Sequence, residues 1–121
     1  MNAPSRVFMA AAGVAGAAGV ALGAASAHVG GANLGTAANF LLFHAPALLG
    51  VGLLAERSIA PSCWVVAAGA LLGLGVALFS GALALGALAG WRPIPMAAPA
   101  GGLAMIAGWL TLAAAGLFGR R

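Results

Sequence analysis

Asn39-Phe40-Leu41-Leu42-Phe43-His44-Ala45-Pro46-Ala47-Leu48-Leu49 sets an imidazole and a proline inside a run otherwise suited to lipid or a buried core. The other polar groups can be placed at a membrane surface or explained by helix packing; His44 cannot be placed at a surface so easily. The chain around it has 121 residues, 64% hydrophobic and 5% charged, with a mean hydropathy of +1.12. A soluble domain carries about 25% charged residues. With so few charges this chain cannot cover a water-facing surface, so a bilayer is its natural solvent. The formal charge of +4 comes from arginines that stand singly or at the C-terminus between apolar runs. They are topology signals rather than a clustered phosphate-binding patch, which argues against a nucleic-acid partner. The lone Cys63 excludes an internal disulfide and a multi-cysteine metal site. All-Arg basic residues with abundant Ala and Gly suit a GC-rich bacterial genome.

Working outward, four apolar runs predict helices over about 7–27, 37–55, 63–89 and 97–118; about 20 residues cross hydrocarbon, and the third run, longer than that, must tilt or let its ends emerge. The first run admits two readings. Its basic start, apolar middle and Ala25-Ser26-Ala27 resemble a cleaved secretory signal. Ala15, Gly19, Gly23 and Ala27, four residues apart, instead form a smooth ridge that lets a retained helix approach another closely; this reading is the favoured one. Gly30, Gly31 and Asn33 predict a turn, and Thr36 a cap for the second helix. Pro46 takes the helical partner from the Leu42 carbonyl and predicts a kink. Glu56 and Arg57 open the one charged connector, and Pro61 and Ser62 suit the start of the third helix. Gly69, Gly73, Ala77 and Gly81 make a second ridge, Trp64 and Trp91 mark its ends as aromatic anchors, and Ala104 and Gly108 make a small pair in the fourth run. Four crossings put Arg6, Arg57, Arg120 and Arg121 on one face and Arg92 alone on the other. The expected fold is therefore an all-α integral membrane four-helix bundle in one domain with both termini cytoplasmic.

Gly23-Ala24-Ala25-Ser26-Ala27-His28, Phe40-Leu41-Leu42-Phe43-His44-Ala45, Leu78-Phe79-Ser80-Gly81-Ala82-Leu83, and Pro99-Ala100-Gly101-Gly102 with the later Gly108-Trp109 stand in an order and approximate spacing that resembles the YgdD/YwdK family of small multi-pass membrane proteins. The resemblance implies four spans and an uncleaved first helix, and supplies no activity. This chain departs from the family pattern at Phe40-Leu41, Ala82 and Ala98, where hydroxyl and amide groups are lost. Those changes make its interior drier.

Few residues can carry chemistry. An ionisable group inside a membrane is costly and usually faces protein or water. His44 is therefore read first as an interhelical tether, with Ser80 or a carbonyl loosened by Pro46 as its partner; proton or ligand handling is the sharper alternative, and metal or haem ligation the remotest. His28 belongs at the membrane boundary, as an interfacial residue or a cap. Two histidines at unequal depth without a nearby carboxylate or thiolate make a poor metal or haem site, so no cofactor is expected. Glu56 and Arg57 form a solvated pair, the Trp residues anchor or pack, and Gly19, Gly23, Gly69, Gly73, Gly81 and Gly108 pack helices. No span holds a carboxylate, so Ser/His/Asp catalysis is excluded. The expectation is a non-enzymatic inner-membrane protein whose partners are the bilayer and either itself or a larger membrane complex. The alternative is a small proton or solute passage centred on His44.

Overall fold

The computed structural model describes residues 1–57 and 62–119; Pro61, Arg120 and Arg121, with the expectations resting on them, lie outside these. The described residues form four α-helices: α1 (Ala3–Val29), α2 (Ala32–Arg57), α3 (Cys63–Ala89) and α4 (Ala97–Phe118). All four are long and apolar enough to cross a membrane. Even the 22 residues of α4 span about 33 Å at ~1.5 Å per residue, enough for roughly 30 Å of hydrocarbon.

The helix ends have local causes. Asn2 caps α1, its side-chain oxygen accepting from the Ser5 amide at 2.8 Å. Pro4 falls in the first turn, where its missing N–H is no loss. These two residues start α1 earlier than the apolar run alone indicates. Gly30 and Gly31, at φ 78° and 94°, turn the chain in two residues, a conformation that side chains with a Cβ resist. So tight a turn leaves Asn33 and Thr36 inside α2. Thr36 does not cap it; its hydroxyl donates back to the Ala32 carbonyl at 2.9 Å. The Ser62 hydroxyl accepts from the Trp64 amide at the start of α3, and left-handed Gly90 ends that helix. α2 continues through Pro46.

The helices pack in chain order, α1 on α2, α2 on α3 and α3 on α4, with α1 also touching α3. Among the described residues α4 brings its backbone close to α3 alone. In lipid such packing is driven by van der Waals contact and hydrogen bonds rather than escape from water. Small residues therefore mark the close approaches. A Cβ on Gly19 would meet the Leu42 side chain at 2.8 Å, and one on Gly108 would meet that of Leu72 at 2.9 Å. Gly69 lies under the Phe8 ring, with Val51 2.8 Å from where its Cβ would be. Gly23 and Gly73 are looser, at 3.9 Å from Ala38 and 3.6 Å from Leu48. Gly81 departs from its expected packing role: a Cβ there would meet nothing within 4 Å. The closest crossing is instead Gly75 against Gly101. A Cβ on Gly101 would stand 2.6 Å from both the Gly75 carbonyl oxygen and the Phe79 amide nitrogen.

Phe8, Leu41, Leu48, Val51, Leu72, Val76 and Met105 make the core. Phe8, Ala12 and Ala15 are buried residues of α1, so the first helix is built into the packed structure. Outward-facing residues such as Phe43 and Leu110, 69% and 66% exposed, supply the apolar surface a bilayer requires.

A polar pin ties the start of α1 to the end of α2. The Asn2 side-chain amide donates to the Ala55 carbonyl at 2.7 Å, and its backbone N–H donates to Glu56 Oε2 at 2.9 Å. Glu56 Oε1 also lies 3.4 Å from the Met1 amino group. The expected pairing of Glu56 with Arg57 is thus replaced. Asn2, as the α1 cap, delivers its donors to the last turn of the antiparallel neighbour.

Candidate functional site

His44 is 5% exposed, in the middle of α2. Its Nδ1 lies 2.7 Å from the Phe40 carbonyl oxygen one turn back, and its Nε2 lies 3.2 Å from the indole Nε1 of Trp109 on α4. The carbonyl can only accept and the indole N–H can only donate. The neutral imidazole with its proton on Nδ1 satisfies both at once. Neither partner is the expected one. Ser80 donates to a different acceptor, and the carbonyl that Pro46 releases is that of Leu42, two residues on from Phe40.

Ser80 is 1% exposed and donates to the Ala37 carbonyl at 2.9 Å, joining α3 to α2. Around these three bonds the aromatic rings form a chain. Phe40 stacks on His44 with ring centres 6.1 Å apart, Phe79 meets Phe40 at 4.6 Å, and the Trp109 and His44 rings tilt at 58° with centres 5.8 Å apart. Three helices thus converge on one small cluster. The His44–Trp109 bond spans α2 and α4, whose backbones do not otherwise approach.

His28 lies apart, exposed in the last turn of α1. Cys63 is exposed at the start of α3. Among the described residues no three His, Cys, Asp or Glu side chains come together. Nothing in the cluster pairs a nucleophile with a base, and both imidazole nitrogens are engaged. What the arrangement can do is hold three helices in register without charge.

The sequence singled out His44 and Ser80 but not Trp109, which it grouped with the Trp residues that anchor or pack. The available signal was that Trp109 lies deep in the fourth run, away from the interface where Trp64 and Trp91 sit. Gly75 was also missed, because it lies outside the four-residue ridge.

Three of the four stretches that carry the family resemblance supply this cluster: 40–45 gives Phe40 and His44, 78–83 gives Phe79 and Ser80, and the last gives Gly101 and Trp109. Comparison with known proteins agrees with that resemblance. The model of a family described as "Protein of unknown function (DUF423)" matches residues 15–102. The UPF0382 inner membrane protein YgdD of Escherichia coli K12 is 38% identical over 98 residues, covering 74% of this chain and 73% of its own. The UPF0382 membrane protein SH2409 of Staphylococcus haemolyticus is 40% identical over 76 residues, covering 63% and 60%. No solved structure matches the chain. The four spans and these relatives make it a multi-pass inner-membrane protein. It belongs to the DUF423 family, the group of small membrane proteins that its own motifs resemble.

Proposed function

We propose that this chain is a non-catalytic helical subunit that acts by packing against another membrane protein. One observation carries the reading. Both side chains expected to do polar work inside the spans, His44 and Ser80, are spent on bonds within the molecule. A passage needs a polar stripe left free for a solute or a proton, and a cofactor needs a free ligand. A packing subunit needs neither.

An apolar groove of about 640 Å³ between α1 and α3 supports the same reading. Ala11, Ala15, Gly73 and Ala77 are among its walls, so it admits the close approach of a transmembrane helix. Its occupant in this proposal is a helix of a larger membrane complex. A second copy of the chain is the competing occupant.

The test is purification of the full chain in mild detergent after in-cell crosslinking from position 74, where Leu74 lines the groove and is 68% exposed. A stoichiometric membrane partner crosslinked there supports the proposal. A crosslinked homodimer replaces the partner by self-association. A proton or solute flux in proteoliposomes that His44→Ala abolishes, with the helical fold intact, overturns the packing reading in favour of a passage.

A further inference from the structure

We propose that the cavity beneath the turn 91–95 binds one anionic glycerophospholipid, its phosphate on Arg92 and an acyl chain beside Gly81. The cavity measures about 370 Å³ and lies between the second half of α3, this turn and the start of α4. Leu78, Leu83, Leu85, Ile94 and Pro95 give it apolar walls, and Arg92 is its charged group.

Charge complementarity selects the occupant. Glu56 is the chain's single acidic residue, and it is pinned to Asn2 at the opposite end of the bundle. Among the described residues Arg92 therefore has no carboxylate within reach. The carbonyls of Leu85 and Gly86 near the end of α3 accept the N–H groups of Trp91 and Gly90. The Arg92 arm nevertheless lies folded along α3. A Cβ on Gly86 would stand 3.1 Å from its Nε and 3.7 Å from its Cγ. Glycine at 86 thus lets the guanidinium lie along the helix beside an oily cavity. A guanidinium fork matches phosphate oxygens bidentately.

A free phosphate would gain from that fork alone and nothing from the walls. A phospholipid satisfies both parts at once. Trp91, 59% exposed on the same turn, belongs at headgroup depth, where indoles concentrate. Leu78 and Leu85, 45% and 42% exposed, leave the cavity wall open to neighbouring lipid. Gly81 acquires a purpose here: its missing side chain is part of the cavity. The inference goes beyond the packing role and needs only that the chain spans a bilayer.

The experiment is native mass spectrometry of the full chain in mild detergent, titrated with dioleoyl-phosphatidylglycerol or dioleoyl-phosphatidylcholine. One phosphatidylglycerol should be retained in preference to phosphatidylcholine. Arg92→Gln should weaken it about tenfold, the scale of one charge-assisted bond. Gly81→Leu should weaken it while circular dichroism stays unchanged, because the new side chain enters empty space. Arg57→Gln, which changes a cation at the other end, should leave retention unaltered. Equal retention of the two lipids, equal loss in the Arg92 and Arg57 variants, or no effect of Gly81→Leu overturns the proposal. Displacement of the lipid by millimolar inorganic phosphate overturns it in favour of a soluble-anion site.

Discussion

The His44–Trp109 bond yields a double-mutant cycle. Trp109→Phe keeps an aromatic ring beside the imidazole but deletes the indole N–H. His44 Nε2, in a side chain 5% exposed, then has no donor. A buried polar atom left unpaired in a soluble protein costs about 1–3 kcal/mol. In membranes the figure falls, because the unfolded chain in lipid also finds partners; measured interhelical bonds average about 0.6 kcal/mol and reach about 1.7. At 3.2 Å the contact is at the long end of the range, so the lower figure governs. The coupling between Trp109→Phe and His44→Phe should therefore be about 0.6 kcal/mol and no more than about 1.7. The assay is reversible unfolding of the full chain in mixed micelles with added SDS, followed by circular dichroism. A parallel cycle of His44→Phe with Asn2→Ala, which touches the far end of α2, should add within about 0.5 kcal/mol. Coupling indistinguishable from zero at 44 and 109 would refute the bond, and with it the argument that α4 is held to α2 by a side chain.

Three further outcomes follow from the same packing. Gly75→Ala should destabilise by about 1–3 kcal/mol, since its Cβ would stand 2.9 Å from the Gly101 carbonyl and the Met105 amide, both main chain; Gly50→Ala, facing nothing within 4 Å, should be neutral or stabilising by up to ~1 kcal/mol, and equal effects would show that α3 and α4 do not cross so closely. Asn2→Ala should cost about 0.5–2 kcal/mol through the lost cap and speed hydrogen exchange at Ser5 while sparing the middle of α1; unchanged exchange at Ser5 would rule the cap out. If the arginine distribution sets the threading, a membrane-impermeant maleimide should reach exposed Cys63 only after spheroplasts are permeabilised. Labelling of intact spheroplasts would reverse the orientation.

The spans were legible because a bilayer imposes a coarse condition on sequence, namely some twenty residues without charge, and α3 and α4 answer it from Cys63 to Ala89 and from Ala97 to Phe118. The ends of α1 and α2 were less so. Polar Asn2, Asn33 and Thr36 look like loop residues, and only tertiary contact shows Asn2 reaching Ala55 or Thr36 bonding its own helix. At the cluster, the isolation of His44 and Ser80 among apolar neighbours announced that each needs a partner. Which partner depends on how α4 lies on α3, and that rests on Gly75 meeting Gly101, a contact between two residues whose lack of a side chain leaves no periodic mark. Trp109 was hidden for the opposite reason: tryptophan serves membrane proteins so often as an anchor that its single donor draws no notice.

The acceptors chosen by Ser80 and by His44 Nδ1 are main-chain oxygens, at Ala37 and Phe40. Every amino acid offers that same oxygen, so genetic drift at either position leaves the two bonds standing as far as their chemistry is concerned. The indole of Trp109 enjoys no such insurance. In diverging copies of this gene, codons 44 and 109 are the pair obliged to change in concert, though 64 intervening codons separate them.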